Sequence, residues 1–311
     1  MLPVTDHKRI ALRAEDGHDI PLQVWLPQGE PTHVLQILHG LGEHADRYAR
    51  FAKAATERGM AVYCHDHRGH GEHADQLGYF AAKNGWDLLV TDAHTVFRYI
   101  EEENPAVPVV LLGHSMGSYI SQSFLIRHSP NIAALILSSS TWPSRIKLWL
   151  GSILAKIESW RLDKHRHSPL LDKMGFGDFN KPFQPSRTEL DWLSRDEDEV
   201  DKYIDDPLCG GPYTTGLWLD LTAGLKEISS DAALRRIDAS LPILITGGAA
   251  DPIGGDRGMT ALLMHYAQTG HQRLRANIYP DGRHEMLNDT VRDEVTRDWL
   301  DWIQATSRSV R

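Results

Sequence analysis

The sequence predicts an α/β fold: a mostly parallel sheet of about eight strands with helices on both faces and a helical cap inserted after strand six. Along most of the 311 residues, short apolar strands alternate with amphipathic helices. Several strands, such as residues 107–112, are apolar without alternation, which is typical of parallel strands buried on both faces. The alternation stops between residues 141 and 223 and then resumes, which indicates an insertion.

The first elements differ from the rest. Residues 9–14 and 19–26 are β-rich and are separated by Glu15-Asp16-Gly17, a turn sequence typical of an antiparallel hairpin. From residue 33 onward, the pattern predicts strands at 33–38, 61–65, 107–112 and 133–137, with helices at 48–58, 86–103 and 115–128. After the insertion, strands at 241–246 and 273–279 and helices at 257–269 and 289–307 complete two further βα units.

The insertion is long for a connection between two strands, which indicates that it has a function. We therefore interpret it as a cap. The chain is divided into a first part of the core at residues 1–140, the cap at residues 141–223 and a second part of the core at residues 224–311.

Composition excludes several classes of protein. The formal net charge is −9 and the 33 basic residues are scattered, so we expect no nucleic-acid partner. Cys64 and Cys209 are far apart and lack metal-ligand spacing, which predicts reduced thiols. The first residues form no apolar leader and no run of about 18 apolar residues follows, so we expect a cytoplasmic protein.

The 17 histidines raise the question of a metal site in the segment from residue 65 to residue 73. A binuclear metallohydrolase pattern, His-x-His-x-Asp-His, needs an aspartate where this chain has Gly69. One ligand is therefore missing, and we expect no metal.

The pentapeptide Gly113-His114-Ser115-Met116-Gly117 fits the G-x-S-x-G pattern. It follows an apolar strand and opens a helix, which is the context of a nucleophile elbow. The glycines permit a sharp turn that exposes the hydroxyl of Ser115, and the helix N-terminus favours negative charge there. Ser115 is the predicted nucleophile. The alternative is an ordinary serine in a tight turn.

A serine hydroxyl needs a base, and that base needs an acid, in the usual chain order Ser, acid, His. His284 follows the last predicted strand and is the candidate base, although it could also be a solvated loop histidine. Asp251 follows the strand at 241–246 and is the candidate acid, with helix capping or a turn as its alternative role. Asp256 has a sufficient explanation as a first-turn carboxylate, and Asp281 lies in His284's own loop.

Acyl transfer also needs donors for the oxyanion. The amide of Met116 follows the nucleophile, and the glycines in His39-Gly40-Leu41-Gly42 permit the amide of Leu41 to approach the substrate. The alternative for this loop is a plain flexible turn.

These motifs occur together in one order. They are His39-Gly40-Leu41-Gly42-Glu43-His44 with Arg47-Tyr48, His65-Asp66-His67-Arg68-Gly69-His70-Gly71, Gly113-His114-Ser115-Met116-Gly117, Asp251-Pro252, and His284-Glu285. The chain thereby resembles the monoacylglycerol lipase and lysophospholipase-like branch of the α/β-hydrolase fold superfamily (serine aminopeptidase S33-type hydrolases), over about residues 10–305.

The resemblance implies a triad of Ser115, Asp251 and His284, an oxyanion hole of the Leu41 and Met116 amides, and cleavage of carboxylic esters, often lipid monoesters, without a cofactor. Two features depart from the branch. Ser118 stands where a further glycine is common, and the cap has no motif that matches a known lipid specificity.

The cap offers two interpretations at residues 142–160, where apolar residues at helical spacing are mixed with Lys and Arg. This segment could line an acyl pocket and touch a membrane surface transiently, or it could simply pack against the core. The pocket wall is favoured over membrane contact. Substrate contacts are expected from His39 and Gly40 in the core and from Trp142 and Leu148 in the cap.

The leading hypothesis is a serine esterase or lipase that works through an acyl-enzyme on a small-molecule ester or lipid. A peptidase or thioesterase would use the same triad. A binding protein that retains the fold without catalysis is a third hypothesis, although it would be expected to have lost a member of the triad. Dehalogenase and epoxide hydrolase chemistry needs a carboxylate at position 115 and is excluded. The oligomeric state is not predicted.

Overall fold

A computed structural model describes residues 6–307 of the chain. Within them lie eight strands of one sheet. They are β1 Asp6–Arg13, β2 Asp19–Leu26, β3 His33–Leu38, β4 Met60–His65, β5 Val109–His114, β6 Ala134–Ser138, β7 Ile243–Gly248 and β8 Leu274–Tyr279. The predicted α/β class is confirmed. β5 begins at Val109 rather than at residue 107, since Pro108 has no N–H to donate to a neighbouring strand.

The strand order is β1-β2-β4-β3-β5-β6-β7-β8. β2 pairs antiparallel with both β1 and β4, and β3 to β8 pair in parallel. Leu38 at the end of β3 pairs with Gly113 near the end of β5. Because parallel strands end at the same edge, the loops after β3, β5, β7 and β8 meet there, where ligands of open α/β sheets bind.

Helices follow the strands as predicted, and five of them lie between β6 and β7, four of which begin within the predicted cap. They are α1 Ala49–Glu57, α2 Gly85–Glu103, α3 Met116–His128, α4 Arg145–Leu162, α5 Pro169–Phe176, α6 Glu197–Asp205, α7 Thr215–Ile228, α8 Asp231–Leu234, α9 Gly255–Gln268 and α10 Arg292–Ser307. Short 3₁₀ turns occupy Ala45–Tyr48, Lys181–Phe183 and Met286–Asn288.

The two faces of the sheet bury separate hydrophobic cores. Along β5, Val109 and Leu111 join the core that contains residues of α2, α3 and α9, whereas Val110 and Leu112 join the core that contains residues of α1 and α10. Successive side chains of a strand point to opposite faces, so a strand between two helical layers must be apolar at every position.

Helices α4 to α8 lie between β6 and β7, and α8 follows the end of the predicted cap. α7 packs against α4 and also against α2 and α3 of the core. It continues through residue 223, the predicted end of the cap, to Ile228, and it contacts both parts of the molecule.

Of the helices within residues 6–307, not one has both the length and the apolar composition to cross a membrane. The cytoplasmic location inferred from the sequence stays a prediction.

Candidate active site

Ser115 occupies the turn between β5 and α3. Its backbone has φ 50° and ψ −117°, a conformation that few residues other than glycine adopt. Its N–H donates to the Ser138 carbonyl of β6 at 2.9 Å. A Cβ on Gly117 would collide with the Leu38 carbonyl, and one on Gly113 would collide with the Gly117 carbonyl. The close packing that these glycines permit holds Ser115 at the wall of a cavity.

His284 and Asp251 form a buried pair in the loops after β8 and β7. His284 Nδ1 lies 3.0 Å from Asp251 Oδ2, and the two side chains are 5% and 2% exposed. Burial lowers the pKa of His284, but the charge of Asp251 and the hydrogen bond to it outweigh burial and raise that pKa above the ordinary histidine value. Because a carboxylate only accepts, Nδ1 carries the proton and Nε2 is left as the base. His284 lines the same cavity as Ser115.

The loop that carries His284 is held from both parts of the molecule. The Ser139 hydroxyl donates to the His284 carbonyl at 2.5 Å, and the Glu285 N–H donates to the Leu193 carbonyl of the cap at 2.8 Å. The Trp192 ring of the cap lies 5.1 Å from the His284 ring, between centroids. The cap therefore contributes to the position of the base.

Leu41 and Met116 line the cavity beside Ser115. Neither backbone N–H donates to a protein acceptor among residues 6–307. Two such amides next to a nucleophile can stabilise an oxyanion, since no acceptor of the protein competes for them.

Three buried histidines brace the loop after β3. The His39 ring accepts from the His67 N–H at 3.0 Å and donates to the Gly40 carbonyl at 2.8 Å. The His70 ring accepts from the Gly42 N–H at 3.1 Å. Burial lowers the pKa of His39 and His67 well below the ordinary range and that of His70 to about 4. These rings are therefore neutral and structural, which explains much of the histidine-rich segment.

A buried ion network joins the same loop to the His284 loop. Glu43 accepts from the Gly40 N–H at 2.5 Å and from the Tyr48 hydroxyl at 2.9 Å. Arg47 Nη1 lies 3.1 Å from Glu43, and the guanidinium binds both oxygens of Glu285 at 2.6 and 2.7 Å. All of these residues occur in the sequence motifs. The sequence nevertheless predicted no role for Glu285, because it lies 238 positions from Arg47.

The cavity above Ser115 has a volume of about 500 Å³. Phe176 of α5 lies at the centre of its aromatic wall, with its ring centroid 5.4 Å from those of Tyr213 and Trp218. The apolar residues that the cap contributes are Phe176, Phe179, Leu190, Trp192, Leu193, Tyr203, Tyr213, Trp218, Leu221 and Leu225. A pocket of this size and lining suits a ligand with a large apolar part.

Of the four residues expected to contact substrate, Gly40 lines the cavity. The other three are placed elsewhere. His39 is fully buried beneath the loop, the Trp142 ring stacks on His265 at 3.8 Å, and Leu148 is buried on the inner side of α4. We do not retain these three as substrate contacts.

One group in the described part of the chain has the chemistry of metal ligands: His44, Asp206 and Cys209 offer ligand atoms within 4.8 Å of one another. His44 Nε2 lies 2.8 Å from Asp206 Oδ2, so a hydrogen bond between the core loop and the cap accounts for that pair. The expected absence of a metal stays a prediction.

Comparison with known proteins gives a family. The family model described as "Serine aminopeptidase, S33" matches residues 29–291. The chain is 30% identical to the monoglyceride lipase of Rattus norvegicus over 287 residues, which are 92% of this chain and 85% of that protein. It is 26% identical to the monoacylglycerol lipase of Mycolicibacterium smegmatis, over 92% of this chain and 93% of that protein.

Solved structures of esterases and lipases are also similar to this chain. A thermostable carboxyl esterase from Bacillus coagulans matches with a TM-score of 0.89 and 25% identity, over 97% of this chain and 99% of that one. A soluble variant of the monoglyceride lipase from Saccharomyces cerevisiae matches with a TM-score of 0.75 and 16% identity, over 98% and 96% of the two chains. The second of these likenesses concerns the fold alone.

Proposed function

Since this chain belongs to the serine aminopeptidase S33 family of α/β-hydrolases, we propose that it is a serine esterase that cleaves monoacylglycerols and related lipid monoesters through Ser115, His284 and Asp251. The observation that carries the proposal is one cavity lined by both Ser115 and His284 and walled by the apolar side chains of the cap. Monoglyceride lipases and a carboxyl esterase among the relatives support ester hydrolysis.

Acylation begins when His284 Nε2 takes the proton of Ser115 and the serine oxygen attacks the ester carbonyl. The carbonyl oxygen becomes an oxyanion, for which the amides of Leu41 and Met116 are the proposed donors. Asp251 stabilises the imidazolium of His284. When the oxyanion collapses, the bond to the glycerol oxygen breaks, and His284 Nε2 gives its proton to that oxygen. A water molecule then attacks the acyl-enzyme with His284 as base again, which releases the fatty acid and restores Ser115.

The apolar wall supports an acyl chain as the part of the substrate that the cap binds. Burial of apolar surface contributes about 0.8 kcal/mol per methylene group, so the affinity should rise with chain length until the cavity is full. A short ester would reach the same triad but would leave most of this wall without contact.

A substrate panel tests the proposal. Wild-type protein and Ser115→Ala should be compared on 1-monooleoylglycerol, a lysophospholipid, p-nitrophenyl acetate, an acyl thioester and an aminoacyl p-nitroanilide, with fluorophosphonate labelling in parallel. We expect labelling of Ser115 and the highest kcat/KM on the monoacylglycerol. Faster turnover of the anilide or thioester would replace the esterase by a peptidase or thioesterase, and labelling without any turnover would favour a binding protein.

The outward face of α4 supports a second part of the proposal, which is contact with a lipid surface. Six large apolar side chains of this helix are exposed by 38% to 88%: Ile146, Trp149, Leu150, Ile153, Ile157 and Trp160. At about 100° per residue they fall on one stripe, opposite the buried face of the helix. A stripe of this size on a single helix is typical of a surface that binds something.

The charges beside the stripe favour an anionic bilayer as the occupant. Arg145 and Lys156 flank it on one side and Lys147 on the other, and all three are exposed. The one acidic residue of α4, Glu158, is buried and binds Arg161. A chain with a formal net charge of −9 thus presents a basic and apolar helix, which is the pattern of interfacial membrane binding. We propose that α4 docks on anionic lipid and brings the cavity to its substrate.

Vesicle binding tests this docking. The double variant Trp149→Ser with Trp160→Ser should cosediment with phosphatidylcholine and phosphatidylglycerol vesicles about tenfold less than wild type, while p-nitrophenyl acetate hydrolysis is unchanged. The matched control is Met264→Ser, which removes another side chain that is 54% exposed. Equal binding of variant and wild type, or wild type bound to neither charged nor neutral vesicles, would contradict docking through α4.

A further inference from the structure

The network of Glu43, Arg47 and Glu285 lies between the two loops on which the proposed reaction depends. All three side chains are nearly inaccessible, with exposed fractions of 5%, 11% and 7%. Taking three charged groups out of water is costly, and a buried ion pair is weak evidence for stability. This cost raises the question of what the network does for the site.

On one side, the network fixes the loop after β3. Glu43 accepts from the Gly40 N–H at 2.5 Å, and Gly40 precedes Leu41, whose amide is a proposed oxyanion donor. The Tyr48 hydroxyl donates to the same carboxylate oxygen at 2.9 Å, so this oxygen cannot turn away without the loss of two hydrogen bonds. The position of the Leu41 amide therefore depends on Glu43.

On the other side, the network fixes the loop after β8. The two bonds from Arg47 to Glu285, at 2.6 and 2.7 Å, have the fork geometry that only arginine can make with a carboxylate. Glu285 directly follows His284. The Tyr203 ring covers the guanidinium, with a centroid distance of 4.8 Å, which keeps water from competing for these bonds.

We propose that Glu43, Arg47 and Glu285 act as one positioning unit. The unit holds the loop after β3 (the oxyanion loop, which carries Leu41) and the loop after β8 (the His284 loop) in a fixed relative position, and it favours the imidazolium form of His284 during acyl transfer. This inference rests on the proposed function. Two carboxylates and one guanidinium give the unit a net charge of −1, which attracts the positive charge that forms on His284. The three residues are positioning residues, because each acts through a neighbour.

Other groups also face His284 and must be kept constant in a test. Asp251 binds Nδ1 at 3.0 Å, and the His114 ring lies 4.9 Å away, between centroids. His114 Nε2 also lies 4.0 Å from Glu43 Oε1. Burial lowers the pKa of His114, and the charge of Glu43 opposes burial. Glu285 and Glu43 raise the pKa of His284 after the larger opposing contributions of burial and Asp251.

The test compares the isosteric variants Glu43→Gln and Glu285→Gln with Arg47→Lys, which keeps the charge but loses the fork. We expect each glutamine variant to lower kcat about tenfold with little change in KM. Because each variant removes a negative charge near His284, the acidic limb of the pH profile of kcat/KM should shift to lower pH. Arg47→Lys should lower kcat without that shift. The double glutamine variant should cost less than the product of the single losses, because one unit is broken twice.

The control is Glu227→Gln, since Glu227 binds Arg127 at 2.7 and 2.8 Å in the same bidentate way but lies outside the cavity wall. It should lower Tm without moving the acidic limb. If both Glu43→Gln and Glu285→Gln lowered Tm but left kcat and the limb unchanged, the unit would be structural only. Should one of them fail to fold, the other decides, because each removes one negative charge. A wild-type protein without ester turnover would instead refute the proposed function.

Discussion

The two walls of the cavity are built by different physics. On the core side, polar groups are fixed by bonds with definite partners, such as His284 with Asp251 at 3.0 Å and Gly40 with Glu43 at 2.5 Å. On the cap side, most of the wall consists of apolar side chains such as Phe176, which packs on Tyr213 and Trp218 without a hydrogen bond of its own. Directed bonds tolerate little change, whereas apolar packing accepts many residues of similar volume. Chemistry is therefore expected to depend mainly on the core, with the cap contacts to the His284 loop as its contribution from the other side, and substrate choice mainly on the cap.

Two helices show the same contrast. α3, which follows Ser115, is buried at every position from Met116 to Ile126. α4 of the cap buries one narrow face and leaves six large apolar side chains in solvent. A helix packed on all sides is held rigidly by its neighbours, and a helix with an open apolar face is available for another partner.

The strongest way to separate the two walls is to remove the nucleophile. Ser115→Ala should reduce ester hydrolysis by at least about ten-thousandfold, because no acyl-enzyme can form. The cap remains intact, so a monoacylglycerol should still change the tryptophan fluorescence of the protein with a similar Kd. Loss of binding together with activity would mean that the core side also recognises the substrate.

Asp251→Asn should lower kcat about a thousandfold, since the imidazolium loses its carboxylate and the ring its fixed tautomer. His284 must be neutral to act as base, and Asp251 raises its pKa. The variant should therefore shift the acidic limb of the rate profile to lower pH, as steady-state kinetics would measure. Asp256→Asn is the matched control, and it should keep wild-type activity. A greater loss in Asp256→Asn would exchange the two assignments.

On the cap side, Phe176→Ala should raise KM about tenfold for long acyl chains, because the ring at the centre of the aromatic wall is lost. Short esters should be hydrolysed at nearly the wild-type rate. Leu170→Ala, on the same helix but 50% exposed, should change neither. Equal losses on long and short esters would show that the cap supports the chemistry as well as the substrate.

The smallest effect is expected where cap meets core. Asp220 of α7 accepts from the Gly85 N–H at the start of α2, and burial raises the pKa of Asp220 to about 6. A raised carboxyl pKa favours folding below the unfolded pKa and loses this contribution as pH rises through about 6. Asp220→Asn should therefore stabilise the protein by about 1 kcal/mol at about pH 8, allowing for solvent screening. Thermal melts at the same pH check this prediction, with Asp205→Asn as the control. A lower Tm for Asp220→Asn than for wild type would contradict the assignment.

The sequence predicted those parts of the site that depend on local order. β3 runs from His33 to Leu38 as predicted, and the elbow at Ser115 follows from glycine spacing between a strand and a helix. Asp251 and His284 were found because each follows a strand of a parallel sheet. The pairing of Arg47 with Glu285 could not be found, since no local pattern joins residues 238 positions apart.

The cap was predicted as an insertion but not in its contacts. Trp142 and Leu148 are residue types expected in a pocket wall. Trp142 instead packs on His265, and Leu148 is buried on the inner side of α4. An apolar residue at helical spacing fits either use, and its orientation is decided by neighbours that are distant in sequence. Phe176 and Trp192 were missed for the same reason.

The three neutral histidines beneath the oxyanion loop have a practical consequence. His70 has a pKa of about 4, and those of His39 and His67 are also far below the ordinary range, so this scaffold does not titrate where His284 does. These three rings should then contribute nothing to the acidic limb of the rate profile. An effort to adapt the protein to acidic media could be confined to the neighbours of His284, because the oxyanion loop would keep its shape while the pKa of His284 is lowered.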